Sequence, residues 1–269
     1  MFNGPGKPYS NYIIAFIMPC FLLVAWTLVT YDGMVPPYLL PSPSEILKTM
    51  DAYVLQPAGS ARFAGRFLSD TLASVSRVGL GFTCAVLMGL PLGLMSGRLW
   101  WVHSSLSLTV NGMRAIPGIT WLPLAMIWFG IGTKTTVFLV ALAAFFPIYL
   151  NTAAGAAQVN PMFIQAAGMM GVKGLGLVFR ILIPATMPHI LAGLRLGLGV
   201  AWAYLVLGEL TGVPDGLGAV IMDARMLGQV DVIIVGMIMI ALVGRASDLL
   251  LVKTLSFGMK SVRRIKVAG

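Results

Sequence analysis

Asn160-Pro161-Met162-Phe163-Ile164-Gln165-Ala166-Ala167-Gly168-Met169-Met170-Gly171-Val172-Lys173, running on to Ile181-Leu182-Ile183-Pro184, lies between two long apolar runs without continuing either. Asn-Pro starts a helix, because the Asn side chain accepts from the first free N–H groups and Pro at the first helical position has no N–H to leave unpaired. Gly171 is the expected stop. The helix between them has about ten residues and is roughly 15 Å long, whereas a bilayer crossing takes about 20 apolar residues. Segment 160–184 therefore reads as a handle that a soluble partner can hold.

The surrounding runs set the class. The 269 residues are 58% hydrophobic and 10% charged, with a mean hydropathy of +0.90, whereas soluble domains are about 25% charged. Uncharged apolar runs of spanning length make this an all-α, polytopic membrane protein. Cys20 and Cys84 both lie inside such runs without metal-ligand spacing, so they read as core residues, and no metal site is expected. The net charge of +9 raises a nucleic-acid reading. Its location argues against one: Lys253, Lys260, Arg263, Arg264 and Lys266 form a basic tail directly after an apolar helix, the usual cytoplasmic flank of a span.

Working outward, six spans are expected. The first lies within Pro8–Tyr31 and reads as retained, since no small-x-small cleavage site follows it. After Pro36, Pro37, Pro41 and Pro43, Ser44 is expected to cap a short amphipathic helix at the membrane surface. The second span covers about 71–96, where Gly79, Gly81, Gly89 and Gly93 allow close approach of a neighbour. The third, about 104–130, is interrupted by Pro117 and Pro123, and broken spans are tolerated where they face protein or a water-filled cavity. The fourth runs from about Thr135 to Leu150, the fifth from about Pro188 to Leu210, and the sixth from Val230 to about Val252. Arg245 and Asp248 are three apart on the last helix and can pair.

Charge bias sets the orientation. Lys7, Arg98, Lys173, Arg180 and the five tail cations fall on one side, while Asp32, Glu45, Asp51, Asp70, Asp215, Asp223 and Asp231 fall on the other with Lys48, Arg62, Arg66, Lys134 and Arg225. Both termini and segment 160–184 are then cytoplasmic. The chain divides into 1–70 (first span and extracytoplasmic surface loop), 71–252 (core) and 253–269 (basic tail).

The chemistry is sparse. Phe129-Gly130-Ile131-Gly132-Thr133-Lys134-Thr135 is not a phosphate loop, because Thr133 stands where the motif needs Gly before Lys. Any ATP and Mg must be handled by a partner; no cofactor is expected on this chain. His103, beside two tryptophans, reads as interfacial. A membrane enzyme would need a cluster of proton-exchanging or metal-holding groups, and neither His103 nor His189 has an acid near it in sequence, so no catalytic residue is assigned. An ion-coupled secondary transporter would need intramembrane carboxylates, and Glu209 is the one such residue expected near a span end. Between Thr71 and Gly208 there is no Asp or Glu, yet Arg77, Arg98, Arg114, Lys134, Lys173, Arg180 and Arg195 are present. Such an interior suits an anion, although the same arginines could serve as span flanks or lipid contacts.

Gln165-Ala166-Ala167, three residues, Gly171, nine residues, then Ile181-Leu182-Ile183-Pro184 resembles the signature of permease subunits of bacterial ATP-binding cassette importers, Glu-Ala-Ala, three residues, Gly, nine residues, Ile-x-Leu-Pro. The spacing is kept in full; Gln165 replaces Glu and Ile183 replaces Leu. Tyr38-Leu39-Leu40-Pro41-Ser42-Pro43, Ser76 to Phe82, Arg114 through Trp121-Leu122-Pro123 to Trp128-Phe129-Gly130-Ile131-Gly132, Gly193 to Trp202 and Gly216-Leu217-Gly218 are similar to the nitrate, sulfonate, taurine and bicarbonate branch. The resemblance implies a type I importer permease of the inner membrane, working as a homodimer with two ATPase subunits and an extracytoplasmic substrate-binding protein. Gln165, Ala166, Ala167, Gly171 and Pro184 would couple to the ATPase, and Arg114, Trp121, Trp128, Arg195 and Glu209 are candidates for the translocation path. The implied substrate is a small organic anion, foremost a sulfonate such as taurine, with nitrate, bicarbonate or an aromatic acid as alternatives.

Overall fold

A computed structural model describes residues 8–31, 33, 35–57 and 59–265, of which 8–16 and 256–265 are described as backbone only. Lys7, Asp32 and Lys266, used in the charge map, lie outside the described residues. No strand occurs among the described residues. The helices are α1 (Pro8–Tyr31), α2 (Pro43–Leu55), α3 (Phe67–Arg98), α4 (Trp100–Ala115), a 3-10 turn (Gly118–Thr120), α5 (Trp121–Phe129), α6 (Thr133–Ala157), α7 (Pro161–Met169), α8 (Leu175–Leu177), a π turn (Val178–Leu182), α9 (Ile183–Glu209), α10 (Leu217–Met226) and α11 (Val230–Ile265).

Among the described residues four stretches are long and apolar enough to cross a membrane: Phe67–Arg98, Thr133–Ala157, Leu175–Glu209 and Val230–Leu255. With α1 and the interrupted pair α4 and α5, they make up the six spans. The third span is broken where its prolines fall: Pro117 precedes the 3-10 turn, and α5 restarts at Trp121.

Several boundaries differ from the sequence reading; the last helix, for one, runs to Ile265 and not to Val252. The cap of α2 is Ser42, not Ser44. Pro43 takes the first helical position, the Ser42 hydroxyl accepts from Glu45 N–H, and the Glu45 carboxylate accepts from Ser42 N–H at 2.9 Å, a reciprocal box. The fourth span does not end at Leu150 but continues past Pro147 to Ala157. The fifth starts well before Pro188, because the π turn at 178–182 lets the helix run into Pro184, which has no N–H to give.

The chain forms two compact units, one of residues up to Leu68 with Val220–Ile238, the other of Ser69–Ala219 with residues from Met239 on. In the first, the Thr49 hydroxyl donates to Asp231 at 2.7 Å, and the rings of Tyr53 and Phe67 meet edge-on at 5.9 Å. In the second, α6 is the central helix. One face of α3 repeats small residues every four positions (Gly81, Ala85, Gly89, Gly93) and lies against it. A Cβ at Gly81 would stand 2.6 Å from Val140 Cγ1. From the other side α9 packs on α6, and a Cβ at Gly208 would stand 2.8 Å from Thr136 Cγ2. Small residues let helix backbones approach where lipid supplies no hydrophobic drive to association. Gly79, expected to share this role, faces nothing within 4 Å.

Candidate functional site

Segment 160–184 takes the shape its residues dictate. The Asn160 side chain accepts from Met162 N–H at 2.9 Å, and Pro161 opens α7. At the other end Gly171 adopts φ +77°, Gly171 N–H donates to Gly168 O at 3.0 Å, and Val172 N–H donates to Ala167 O at 2.9 Å. This paired closure, with glycine in the left-handed region, is a Schellman end. Both flanks are rooted in one apolar cluster, Leu94, Ala156, Val159 and Leu182. Of the five coupling candidates, Ala167 is fully buried and Gly171 sets the turn, while Ala166 and Pro184 are half-buried. Gln165 points outward, among exposed Met162, Phe163, Met169 and Met170. A short helix that exposes this much apolar surface has the character of a docking element.

The five path candidates do not form one constellation. Arg114 and Trp121 share a cavity of about 430 Å³ at the break of the third span, closed by Pro147 and Asn151 of α6 and Tyr204 of α9. Tyr204 fits against Gly118 so closely that a Cβ there would overlap its hydroxyl and ring. Trp128 sits elsewhere, in an aromatic group with Phe129 and Phe138 at centroid distances of 6.2 and 6.0 Å.

Arg195 faces α11. Its Nε and Nη2 donate to the two Asp248 carboxylate oxygens at 3.0 and 3.2 Å, and Arg245 Nη1 donates to the same carboxylate at 2.9 Å. The expected Arg245–Asp248 pair is thus present, with Arg195 as a third member that spacing within one helix did not reveal.

Glu209 is fully buried and belongs to a network at the end of the unit where α3 begins and α9 ends. Arg77 Nη1 donates to Glu209 Oε1 at 2.8 Å and to the Asp215 carbonyl at 2.7 Å, and Arg77 also pairs with the Asp215 carboxylate. The Ser74 hydroxyl donates to Glu209 at 2.8 Å. The first turn of α10 meets these groups: Gly218 N–H donates to Glu209 Oε2 at 2.8 Å, Leu217 N–H to Ser74 Oγ at 2.9 Å, and Gly216 N–H to Asp70 at 3.2 Å. Carboxylates at a helix N-terminus satisfy its free N–H groups and oppose its dipole. Two cations of the acid-free stretch, Arg77 and Arg195, are therefore neutralised by acids from beyond it. Arg77, Ser74 and Asp215 were not singled out as site residues from sequence. The one available signal was an arginine within an otherwise uncharged run.

Residues 89–252 match the family model of the binding-protein-dependent transport system inner membrane component. A Bacillus subtilis (strain 168) protein named for aliphatic sulfonates transport is 31% identical over 91% of this chain and 86% of its own length. The taurine transport system permease protein of Escherichia coli (strain K12) is 34% identical over 82% of this chain and 79% of its own. Among solved structures, an inward-facing form of the MetNI methionine ABC transporter superimposes with a TM-score of 0.56 at 19% identity, over 70% of this chain and 95% of that one, a likeness of fold.

Proposed function

We infer the role of this chain from its family: it belongs to the inner membrane components of binding-protein-dependent transport systems. On that premise it is the membrane-spanning part of an ATP-driven importer. Two copies form the path, two ATPase subunits hold the α7 segments, and a substrate-binding protein delivers cargo to the opposite face. Both termini and α7 lie on the cytoplasmic side, in keeping with the bias of Arg98, Lys173 and Arg180 toward that end of the bundle. The family premise sets aside the ion-coupled reading. ATP and Mg bind the partner, whose closure pulls the two α7 segments together and opens the path toward the loaded binding protein.

The cargo is a small organic anion, foremost a sulfonate such as taurine. The observation that carries this is the cavity at the broken span, where Arg114 stands with Trp121, Tyr204 and Asn151 and no carboxylate lines the wall. A guanidinium with no carboxylate partner among the described residues, beside hydroxyl and amide donors, favours a sulfonate and repels a cation. The test is uptake of labelled taurine into proteoliposomes holding this chain, its ATPase and its binding protein, with nitrate, bicarbonate and an aromatic acid as competitors. ATP-dependent taurine uptake that outcompetes nitrate is expected. A binding protein that takes only cations or neutral sugars, or uptake driven by an ion gradient without the ATPase, would sink this reading.

A further inference from the structure

A second cavity, of about 490 Å³, opens between the C-terminal end of α3, one face of α4 and the last turns of α6. It lies beside the one that holds Arg114, with Leu150 in both walls. Its wall includes Ser96, Arg98, Trp100, His103, Asn111 and Tyr149. Two of these are buried polar groups joined in a chain: Tyr149 O–H donates to Ser96 Oγ at 2.8 Å, and Ser96 Oγ lies 3.3 Å from His103 Nδ1. Ser96 thus ties the buried Tyr149 hydroxyl to the His103 ring at the mouth of the cavity. Arg98 makes one bond, from Nη1 to the Val159 carbonyl at 3.4 Å, and no carboxylate among the described residues pairs with it. Every lining residue falls between positions 96 and 157, inside the stretch that contains no Asp or Glu.

We propose that this cavity is an anion site, taking a sulfonate, carboxylate or phosphate group on a small apolar body, with the Arg98 guanidinium and the Asn111 amide as donors, the His103 ring beside them and Trp100 against the apolar part. A guanidinium and an amide line one cavity where no acid competes, and together these select negative charge. The same chemistry is offered by a free organic anion and by the headgroup of an anionic phospholipid.

The experiment uses the full chain in nanodiscs and two variants, Arg98→Gln, which removes the charge, and Ala154→Trp, which fills the cavity and leaves Arg98 in place. Binding of ethanesulfonate is measured by calorimetry in phosphatidylcholine discs, and retained phosphatidylglycerol is counted by native mass spectrometry after reconstitution in a mixed bilayer. Saturable ethanesulfonate binding, weakened at least tenfold in both variants, assigns the site to a free anion. Loss of retained phosphatidylglycerol in both variants without ethanesulfonate binding assigns it to a headgroup. Binding of neither probe, unchanged binding of both, or loss in Arg98→Gln alone overturns it, the last because charge and not the cavity would then be responsible. None of these readouts needs the ATPase or transport, so failure here is distinct from failure of the importer reading.

Discussion

Arg77 Nη1 lies 2.8 Å from Glu209 Oε1, with side-chain exposures of 5% and 0%, so two residues 132 apart in the chain, one on α3 and one on α9, share one buried ion pair. Removing one member takes the opposing charge from a group buried away from solvent, a loss of about 3–5 kcal/mol for buried pairs, whereas replacing both by apolar groups of similar volume is often neutral. Arg77→Met and Glu209→Leu are each expected to lower the unfolding temperature in detergent sharply, and the double variant to recover most of the loss. Equal cost in the single and double variants would show that the pair is not the relevant unit. Asp215, on the same guanidinium, leaves Arg77 one carboxylate partner in Glu209→Leu, whereas Arg77→Met leaves Glu209 only its bonds from Ser74 and Gly218.

Two glycines two residues apart on α3 give an internally controlled test of helix packing. A Cβ at Gly81 meets Val140 side-chain carbons at 2.6 and 2.7 Å and the Val137 carbonyl at 2.8 Å, but at Gly79 it meets nothing. Gly81→Ala is expected to cost about 1–3 kcal/mol through overpacking against α6. Gly79→Ala is expected to be neutral or to stabilise by up to ~1 kcal/mol, since alanine is the better helix former. Thermal unfolding of the two variants side by side decides it; the reverse order would place α6 on the wrong face of α3.

The α7 segment is held by its ends. Asn160→Ala removes the one side-chain cap, at about 1 kcal/mol, and hydrogen exchange at Met162 is expected to quicken by about fivefold, the factor that corresponds to that energy. Gln165→Glu restores the residue of the family signature at an exposed position, where surface changes usually stay within about 0.5 kcal/mol. Its effect is expected in ATPase association and not in the unfolding temperature. Ala166→Asp is expected to leave the chain inserted while ATP hydrolysis ceases to depend on substrate. Unchanged coupling in Ala166→Asp, measured as hydrolysis with and without loaded binding protein, would remove α7 from the ATPase contact.

What was legible in the sequence was local. Asn160, Pro161 and Gly171 fixed α7 because a cap, a first-turn proline and a left-handed glycine act within a few residues of themselves, and Pro117 with Pro123 located the break of the third span for the same reason. Ser42 and Ser44 are both adjacent to prolines and both able to cap; only the position of Pro43 at the first helical site, with Glu45 three residues after Ser42, separates them. What was not legible joins distant positions. Spacing along α9 correctly kept Arg195 and Glu209 apart, but it gave no means of seeing Asp248 beside the first or Arg77 beside the second, because each partner is on another helix. The grouping of path candidates failed likewise. Trp121 and Trp128 are seven residues apart on nearly the same helical face, yet one borders the cavity and the other packs among phenylalanines.

The contact between Tyr204 and Gly118 gives the remaining prediction. Gly118 begins the 3-10 turn that interrupts the third span, and Tyr204 of α9 occupies the volume that a side chain there would need. Both line the cavity of Arg114 and Trp121. Gly118→Val is therefore expected to push Tyr204 inward, shrink the 430 Å³ space and lower taurine uptake at least tenfold, with the chain still inserted and its ATPase still bound. Tyr204→Ala removes the obstructing ring, so the double variant Gly118→Val/Tyr204→Ala is expected to regain uptake above that of Gly118→Val alone. Rescue of this kind cannot come from general destabilisation, since deleting a half-buried aromatic ring adds to instability and does not relieve it. Uptake by Gly118→Val at the unsubstituted rate, or no recovery in the double variant, would show that the cavity at the broken span is not on the path that the substrate takes.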